Sequence, residues 1–185
     1  MTLNLPTILT LLRIVLLPVV TLIFYLPYDW ARPACAAVFA LAGFTDWLDG
    51  YLARRLNMTS AFGAFLDPVA DKLMVAVALV LLVAVHPTAW MAIPAAVIIG
   101  REIVVSALRE WMAELGKRAK VSVSMLGKIK TTAQMAALFF LLYQKPIFGI
   151  RTYEIGMALL YLAAALTIIS MFAYLRAGIK VARQV

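Results

Sequence analysis

The feature that most constrains the fold of this chain is a series of six apolar runs, each long enough to cross a bilayer as a helix. A helix needs about 20 predominantly apolar residues to span the hydrocarbon core of a membrane. Between the runs lie polar residues, prolines and glycines, which are typical of turns. We therefore predict an all-α integral membrane protein with six transmembrane helices, at residues 7–26, 33–54, 63–85, 90–115, 127–144 and 153–179.

The overall composition agrees with a membrane location and with a single domain. Hydrophobic residues make up 65% of the 185 residues, whereas soluble domains contain roughly 45–50% apolar residues. Six helices with short connections use the whole length, so we expect one membrane-embedded domain over residues 1–185. Residues 2–6 carry no Lys or Arg, so we expect the first run to be a permanent helix rather than a cleaved signal peptide.

Basic residues are distributed unevenly between the two predicted sides of the membrane. Cytoplasmic segments of membrane proteins are enriched in Lys and Arg. One side carries ten such residues: Arg54, Arg55, Lys117, Arg118, Lys120, Lys128, Lys130, Arg176, Lys180 and Arg183. The other side carries Arg32, Lys145 and Arg151. We therefore expect both termini in the cytoplasm, and this placement accounts for the net charge of +8 without a nucleic-acid partner.

Two neighbouring runs contain carboxylates at helical spacing. Asp46 and Asp49 are three residues apart, so they share one face of their helix. Asp67 and Asp71 are four residues apart and share a face of the next helix. The connection between these helices is short, so the helices pair in antiparallel fashion and the acids converge near the cytoplasmic end. An ionised side chain at the centre of a membrane costs roughly 2.5–3.5 kcal/mol even on the lenient insertion scale, so all four need partners.

Divalent cations would relieve the repulsion within this acidic group. The chain has one histidine, His86, and one cysteine, Cys35, which argues against a zinc site built from these residue types. An oxygen-only ligand set favours Mg²⁺ or Mn²⁺, and four acids suit a pair of ions. The predicted metal ligands are Asp46, Asp49, Asp67 and Asp71. The alternative is a network of structural ion pairs, but the acids outnumber the local basic residues, which we take to be Arg54 and Lys72.

Small residues and an arginine accompany the acids at helical spacing. Gly50 follows Asp49 directly, and Gly63 lies one turn before Asp67. Glycine destabilises a helix by about 1 kcal/mol relative to alanine, so its presence indicates that a flat group approaches the backbone here. Arg54 lies one turn after Gly50 and can bind a phosphate through two hydrogen bonds.

The complete pattern, D-x₂-D-G-x₂-A-R-x₈-G-x₃-D-x₃-D, runs from Asp46 to Asp71. At all eight defined positions it resembles the signature of the CDP-alcohol phosphotransferase family. The resemblance implies a six-helix membrane enzyme, a homodimer, a site for two metal ions, and Asp71 as a general base as well as a ligand. It also implies that CDP-diacylglycerol is bound through Asp49, Gly50, Ala53, Arg54 and Gly63.

The second half of the chain bears on the alcohol acceptor. Arg101 lies deep in the fourth run, where an arginine usually faces a cavity or a partner. Glu102 is adjacent in sequence, so we expect it to point elsewhere and to leave Arg101 unneutralised. The basic residues that would bind the phosphate of an acceptor are Arg101, Arg109, Arg118, Lys128 and Lys130. The alternative, contact with lipid headgroups, is preferred for the remaining basic residues of this half and stays open for Arg118.

Residues 4–18 and 101–135 resemble those enzymes of the family in Gram-negative bacteria that use sn-glycerol 3-phosphate as acceptor. This resemblance implies an enzyme of the cytoplasmic (inner) membrane whose active site faces the cytoplasm. Asn4, Thr7 and Arg13 would close the nucleotide pocket. Alternatively, Asn4 and Thr7 would form an N-cap of the first helix, and Arg13 would reach the lipid headgroups.

Two other interpretations remain open at this point. The acceptor of such an enzyme could instead be inositol phosphate, phosphatidylglycerol, serine or choline. A cation transporter could also use intramembrane acids, although here the acids lie near one face of the membrane rather than across it.

Overall fold

The computed structural model of the protein is a bundle of six α-helices, and it describes residues 5–56, 61–115 and 125–182. The helices are α1 (Leu5–Phe24), α2 (Ala31–Leu56), α3 (Ala61–Val85), α4 (Ala89–Glu114), α5 (Met125–Tyr143) and α6 (Thr152–Ala182). Some side chains within these ranges lie outside the description, among them those of Asp49, Gly50, Ala53, Arg54 and Lys128. The predicted all-α fold is confirmed, because every predicted helix corresponds to an observed one with closely similar ends.

Four of the six helices are long and apolar enough to cross a membrane, as judged by length and composition. These apolar segments are Thr7–Phe24, Phe65–Val85, Ala89–Glu114 and Thr152–Arg176. The charged residues in the second half of α2 lower its mean hydropathy, and the apolar part of α5 is the shorter segment Ile129–Tyr143. α2 packs against α1 and α5, and α5 packs against α6 as well. The two helices with weaker apolar character are therefore covered by their neighbours.

Contacts between the ends of helices show that successive helices run in opposite directions. Arg32, at the start of α2, places its guanidinium 3.7 Å from the ring centroid of Phe24, at the end of α1. His86 follows α3, and its Nε2 atom lies 3.0 Å from the side-chain nitrogen of Gln144, which follows α5. The positive charge of Arg32 also lowers the pKa of His86, so these two residues are near each other. The ends of α1, α3 and α5 therefore meet at one end of the bundle. The end of α2 and the start of α3, which carry the acidic motif, lie at the opposite end.

Glycine permits close contact between helices at two positions that fix the bundle around α5. A Cβ atom added to Gly156 of α6 would lie 2.6 Å from the Cγ atom of Leu141, which is itself fully buried. A Cβ atom added to Gly43 of α2 would lie 2.9 Å from the terminal methyl group of Met135. Small residues at such contacts let helices pack through close van der Waals contact, the main attractive force between helices in lipid. These contacts place α5 between α6 and α2.

Candidate active site

The aspartates of the motif gather around one buried arginine of α1. The Nη1 atom of Arg13 lies 2.5 Å from an oxygen of Asp46 and 2.8 Å from an oxygen of Asp71. Its Nη2 atom lies 3.9 Å from Asp67, which also accepts a hydrogen bond from the Thr10 hydroxyl. The Arg13 side chain is only 3% exposed, whereas the three carboxylates are 39–49% exposed. Each acid is therefore held from the buried side and remains accessible from the other.

Sequence reasoning missed Arg13 as the partner of these acids, and its burial excludes the alternative of a contact with lipid headgroups. The sequence names Arg54 and Lys72 as the local basic residues, and the Arg54 side chain lies outside the described residues. A usable signal was present in the sequence, because an arginine inside an apolar run needs an acidic partner. Thr7, Thr10 and Arg13 follow one another at three-residue spacing, and all three are buried. This face of α1 therefore closes the acidic cluster from behind.

A second polar group lies on α4, α5 and α6. One oxygen of Glu102 accepts hydrogen bonds from Arg101, at 2.8 Å, and from Lys130, at 3.0 Å. Arg101 also lies 3.4 Å from the hydroxyl of Ser170. Two cations share one anion in this arrangement, so the group keeps a net positive charge. Arg101 and Lys130 are nearly buried, with side chains 10% and 8% exposed.

The expectation that Glu102 would point away from Arg101 is wrong. Neighbouring residues leave a helix in different directions, but both side chains are long enough to turn back towards each other. Burial favours this pairing, since an unpaired charge in an apolar interior is costly. Glu102 therefore neutralises one of the two positive charges of Arg101 and Lys130.

Arg109 completes the basic side of the site through contacts with α6. Its Nη2 atom donates a hydrogen bond of 2.6 Å to the Tyr174 hydroxyl. Its guanidinium carbon lies 4.9 Å from the centroid of the same ring, a distance at which cations are attracted to aromatic faces. Tyr174 and Ser170 were not singled out from the sequence, because a tyrosine and a serine in an apolar helix carry no specific signal.

One cavity of about 1050 Å³ connects the acidic and the basic groups. We call it the central cavity. Its polar lining consists of Asp46, Asp71, Lys72, Arg101, Glu102, Arg109, Lys130, Thr131, Thr132, Gln134, Ser170 and Tyr174. Apolar side chains of α2, α3, α5 and α6, including Phe39, Met74 and Phe139, line the rest. Five helices contribute to this lining, so only the folded bundle brings the two groups together.

The predicted site residues fall into three groups in the structure. Asp46, Asp71, Arg101, Arg109 and Lys130 line the central cavity. Asp67 belongs to the acidic cluster. Thr7 and Gly63 are buried on the helices that form the cluster. The remainder lie outside the described residues or side chains: Asn4, Asp49, Gly50, Ala53, Arg54, Arg118 and Lys128.

The acidic cluster has the chemistry of a site for a hard divalent cation. In the part of the chain that the structure describes, no three Asp, Glu, His or Cys side chains are spaced to close on one ion. The Asp49 side chain lies outside that part. Oxygens of Asp46 and Asp71 nevertheless converge on a single cationic nitrogen, that of Arg13. A carboxylate set that already gathers around positive charge, with no nitrogen or sulfur ligand, fits Mg²⁺ or Mn²⁺.

Comparison with known proteins identifies the family. The family model described as CDP-alcohol phosphatidyltransferase matches residues 3–169, which is most of the chain. The chain belongs to this family. The match extends from α1 into α6, so it includes both the acidic cluster and the helices of the basic group. The family predicted from the eight-position motif is confirmed.

Three bacterial relatives share more than half of their residues with this chain over nearly its full length. The relative from Pectobacterium atrosepticum is 58% identical over 176 residues, which is 95% of this chain and 94% of that protein. Those from Sodalis glossinidius and Shigella flexneri are 57% and 54% identical, over 178 and 175 residues, and 96% and 94% of their lengths are covered. Each is named CDP-diacylglycerol–glycerol-3-phosphate 3-phosphatidyltransferase. This family member thus resembles enzymes of one specificity from end to end.

Proposed function

We propose that this protein transfers the phosphatidyl group of CDP-diacylglycerol to sn-glycerol 3-phosphate, forming phosphatidylglycerophosphate and releasing CMP. The central cavity is the observation that carries the proposal. It combines carboxylates suited to metal-bound pyrophosphate with basic residues suited to an acceptor phosphate. An acceptor without a phosphate, such as choline or serine, would give Arg101, Arg109 and Lys130 no anion to bind. The names of the bacterial relatives agree with this choice of substrates.

The donor would bind at the acidic end of the cavity. Asp46, Asp49, Asp67 and Asp71 would hold two Mg²⁺ or Mn²⁺ ions, which would neutralise the pyrophosphate and the charge that develops during phosphoryl transfer. The CDP moiety would lie against Gly50, Ala53, Arg54 and Gly63, with Asn4 and Thr7 closing the pocket. Arg13 supports this assignment, because it orients the carboxylates from the buried side and leaves their other side open.

The acceptor would bind at the basic end of the same cavity. Arg101 and Lys130 would contact its phosphate, joined by Arg109, Lys128 and Arg118. Its primary hydroxyl would then point towards Asp71, which takes the proton. The hydroxyl oxygen attacks the phosphorus that carries the diacylglycerol. The bond from that phosphorus to the bridging oxygen of the pyrophosphate breaks, and CMP leaves with that oxygen.

The proposal includes the placement of the enzyme in its membrane. The acidic motif and the basic residues would face the cytoplasm of a bacterial cell, where the water-soluble acceptor is available. CDP-diacylglycerol would enter sideways from the inner leaflet, with its acyl chains in lipid. The homodimer implied by the family resemblance is part of the same proposal.

The test is the incorporation of radiolabelled glycerol 3-phosphate into lipid by the purified protein in mixed micelles with CDP-diacylglycerol. We expect labelled phosphatidylglycerophosphate and an equal amount of CMP with Mg²⁺ or Mn²⁺, and neither product with EDTA. Serine, choline and inositol phosphate should not support CMP release. CMP release with one of these but not with glycerol 3-phosphate would refute the acceptor assignment. Metal-ion flux in proteoliposomes without any CMP release would refute the proposal that this protein is an enzyme.

Variants of the basic group test the acceptor site separately from the donor site. Arg109→Met and Lys130→Met should raise KM for glycerol 3-phosphate by roughly ten-fold or more, since each removes a charge-assisted hydrogen bond. KM for CDP-diacylglycerol should change little. Arg151→Gln is a matched control, because Arg151 is 80% exposed and bonds only to the equally superficial Glu154 among the described residues.

A further inference from the structure

Two of the side chains that line the central cavity each have a buried polar atom with no hydrogen-bond partner among the described residues. These atoms are the Nε atom of Arg101 and the side-chain oxygen of Gln134. Gln134 is only 5% exposed. Buried polar atoms in native proteins nearly always have a partner, because leaving one unpaired is costly. Unpartnered atoms on side chains that line a ligand cavity therefore indicate which groups a bound ligand supplies.

The position of Gln134 connects it with the acceptor end of the cavity. It lies four residues after Lys130 on α5, and residues at this spacing share one helix face. Lys130 donates a hydrogen bond to Glu102, which also accepts one from Arg101. The neighbouring Met135 contacts Gly43 of α2, three residues before Asp46. Gln134 is thus one turn from the basic group, on a helix that packs against the helix of the acids.

The two unpartnered atoms require opposite chemistry. The Arg101 Nε–H group is a donor, and a phosphate oxygen can accept its hydrogen bond. The Gln134 oxygen is an acceptor, so a phosphate dianion, which has only acceptors, cannot pair with it. A hydroxyl group can. Glycerol 3-phosphate has two hydroxyls, and the primary one is the nucleophile that Asp71 would deprotonate.

We propose that the Gln134 side-chain oxygen accepts a hydrogen bond from the secondary hydroxyl of the acceptor, and so selects a glycerol phosphate over a simple hydroxyalkyl phosphate. This inference rests on the proposed function and adds a specificity residue to it. A site that hydrogen-bonds a substrate hydroxyl discriminates against an analogue without it, because the buried partner is then left unpaired.

The experiment compares glycerol 3-phosphate with 3-hydroxypropyl phosphate, which lacks only the secondary hydroxyl. Both retain the phosphate and a primary hydroxyl, so both can act as acceptors. The wild-type enzyme should prefer glycerol 3-phosphate in kcat/KM by roughly ten- to hundred-fold, as expected for one buried hydrogen bond. Gln134→Met keeps the length of the side chain and removes the acceptor oxygen. In this variant the preference should fall to about one, with most of the loss on glycerol 3-phosphate.

Thr167→Val provides the matched control. The Thr167 hydroxyl is also buried without a partner in the described part of the chain, but Thr167 does not line the central cavity. This variant should keep the wild-type preference. The proposal is overturned if Gln134→Met keeps the preference, if it lowers kcat/KM equally for both acceptors, or if it raises KM for CDP-diacylglycerol alone. A wild-type enzyme with no preference also overturns it whatever the variant does, and one that uses neither acceptor refutes the proposed function.

Discussion

Arg13→Met should destabilise the metal-free protein more than a surface substitution does. Arg13 is 3% exposed and holds Asp46 and Asp71 at 2.5 and 2.8 Å. Breaking a buried ion pair by removing one partner costs about 3–5 kcal/mol. The two carboxylates are 39% and 49% exposed, so water offsets part of this cost, and we take the lower end. For a chain of this length, about 3 kcal/mol corresponds to a decrease in Tm of roughly 6–12 °C.

The same variant should gain more stability from Mg²⁺ than the wild-type protein gains. Without Arg13 the carboxylates repel one another, and a divalent cation supplies the missing positive charge. The assay is thermal unfolding of purified protein in detergent, in EDTA and in a series of Mg²⁺ concentrations. Arg151→Gln serves as control, because an exposed ion pair contributes at most about 1 kcal/mol. A decrease in Tm that is the same in EDTA and in saturating Mg²⁺ would refute the reasoning that Arg13 and the metal act on the same carboxylates.

Three further substitutions test the site, the helix packing and the pH dependence. Asp71→Asn should abolish turnover and leave Tm in EDTA within a few degrees of wild type; substantial product formation would contradict its role as base. Gly156→Ala should cost about 1–3 kcal/mol through overpacking against α5, whereas Gly100→Ala, which has open space around the added methyl group, should not lower Tm. Burial, followed by the positive charge of Arg32, lowers the pKa of His86 below its usual 6.5. The unfolded chain therefore binds more protons near this pH, so stability falls as the pH decreases through 6.5. His86→Gln should reduce that pH dependence of Tm, and an unchanged profile would contradict the assignment of the pH dependence to His86.

Local rules of sequence were sufficient for the helices and for recognising the acidic motif. Apolar runs of membrane-spanning length predict helices wherever backbone hydrogen bonds must be made internally. Spacings of three and four residues place carboxylates on one helix face whatever surrounds the helix. This is why the six helices and the common face of Asp67 and Asp71 on α3 follow from the sequence alone, and why the motif identifies the family.

Contacts between distant segments could not be derived in this way. Arg13 and Asp71 are 58 residues apart, and their contact depends on how α1 packs against α3. The pairing of Glu102 with Arg101 and Lys130 depends on which rotamers the packed helices allow, and helical spacing suggested the opposite. No periodicity marks Gln134 as part of a cavity wall.

The sequence by itself therefore determined which chemical groups this protein has and which helix face presents them. Only the tertiary structure decided which of these groups meet. Helical periodicity is a property of the local backbone, whereas the side chains that line the central cavity come from five helices. Their common position follows from close packing of the bundle, in which a small residue such as Gly156 sets the distance between α5 and α6.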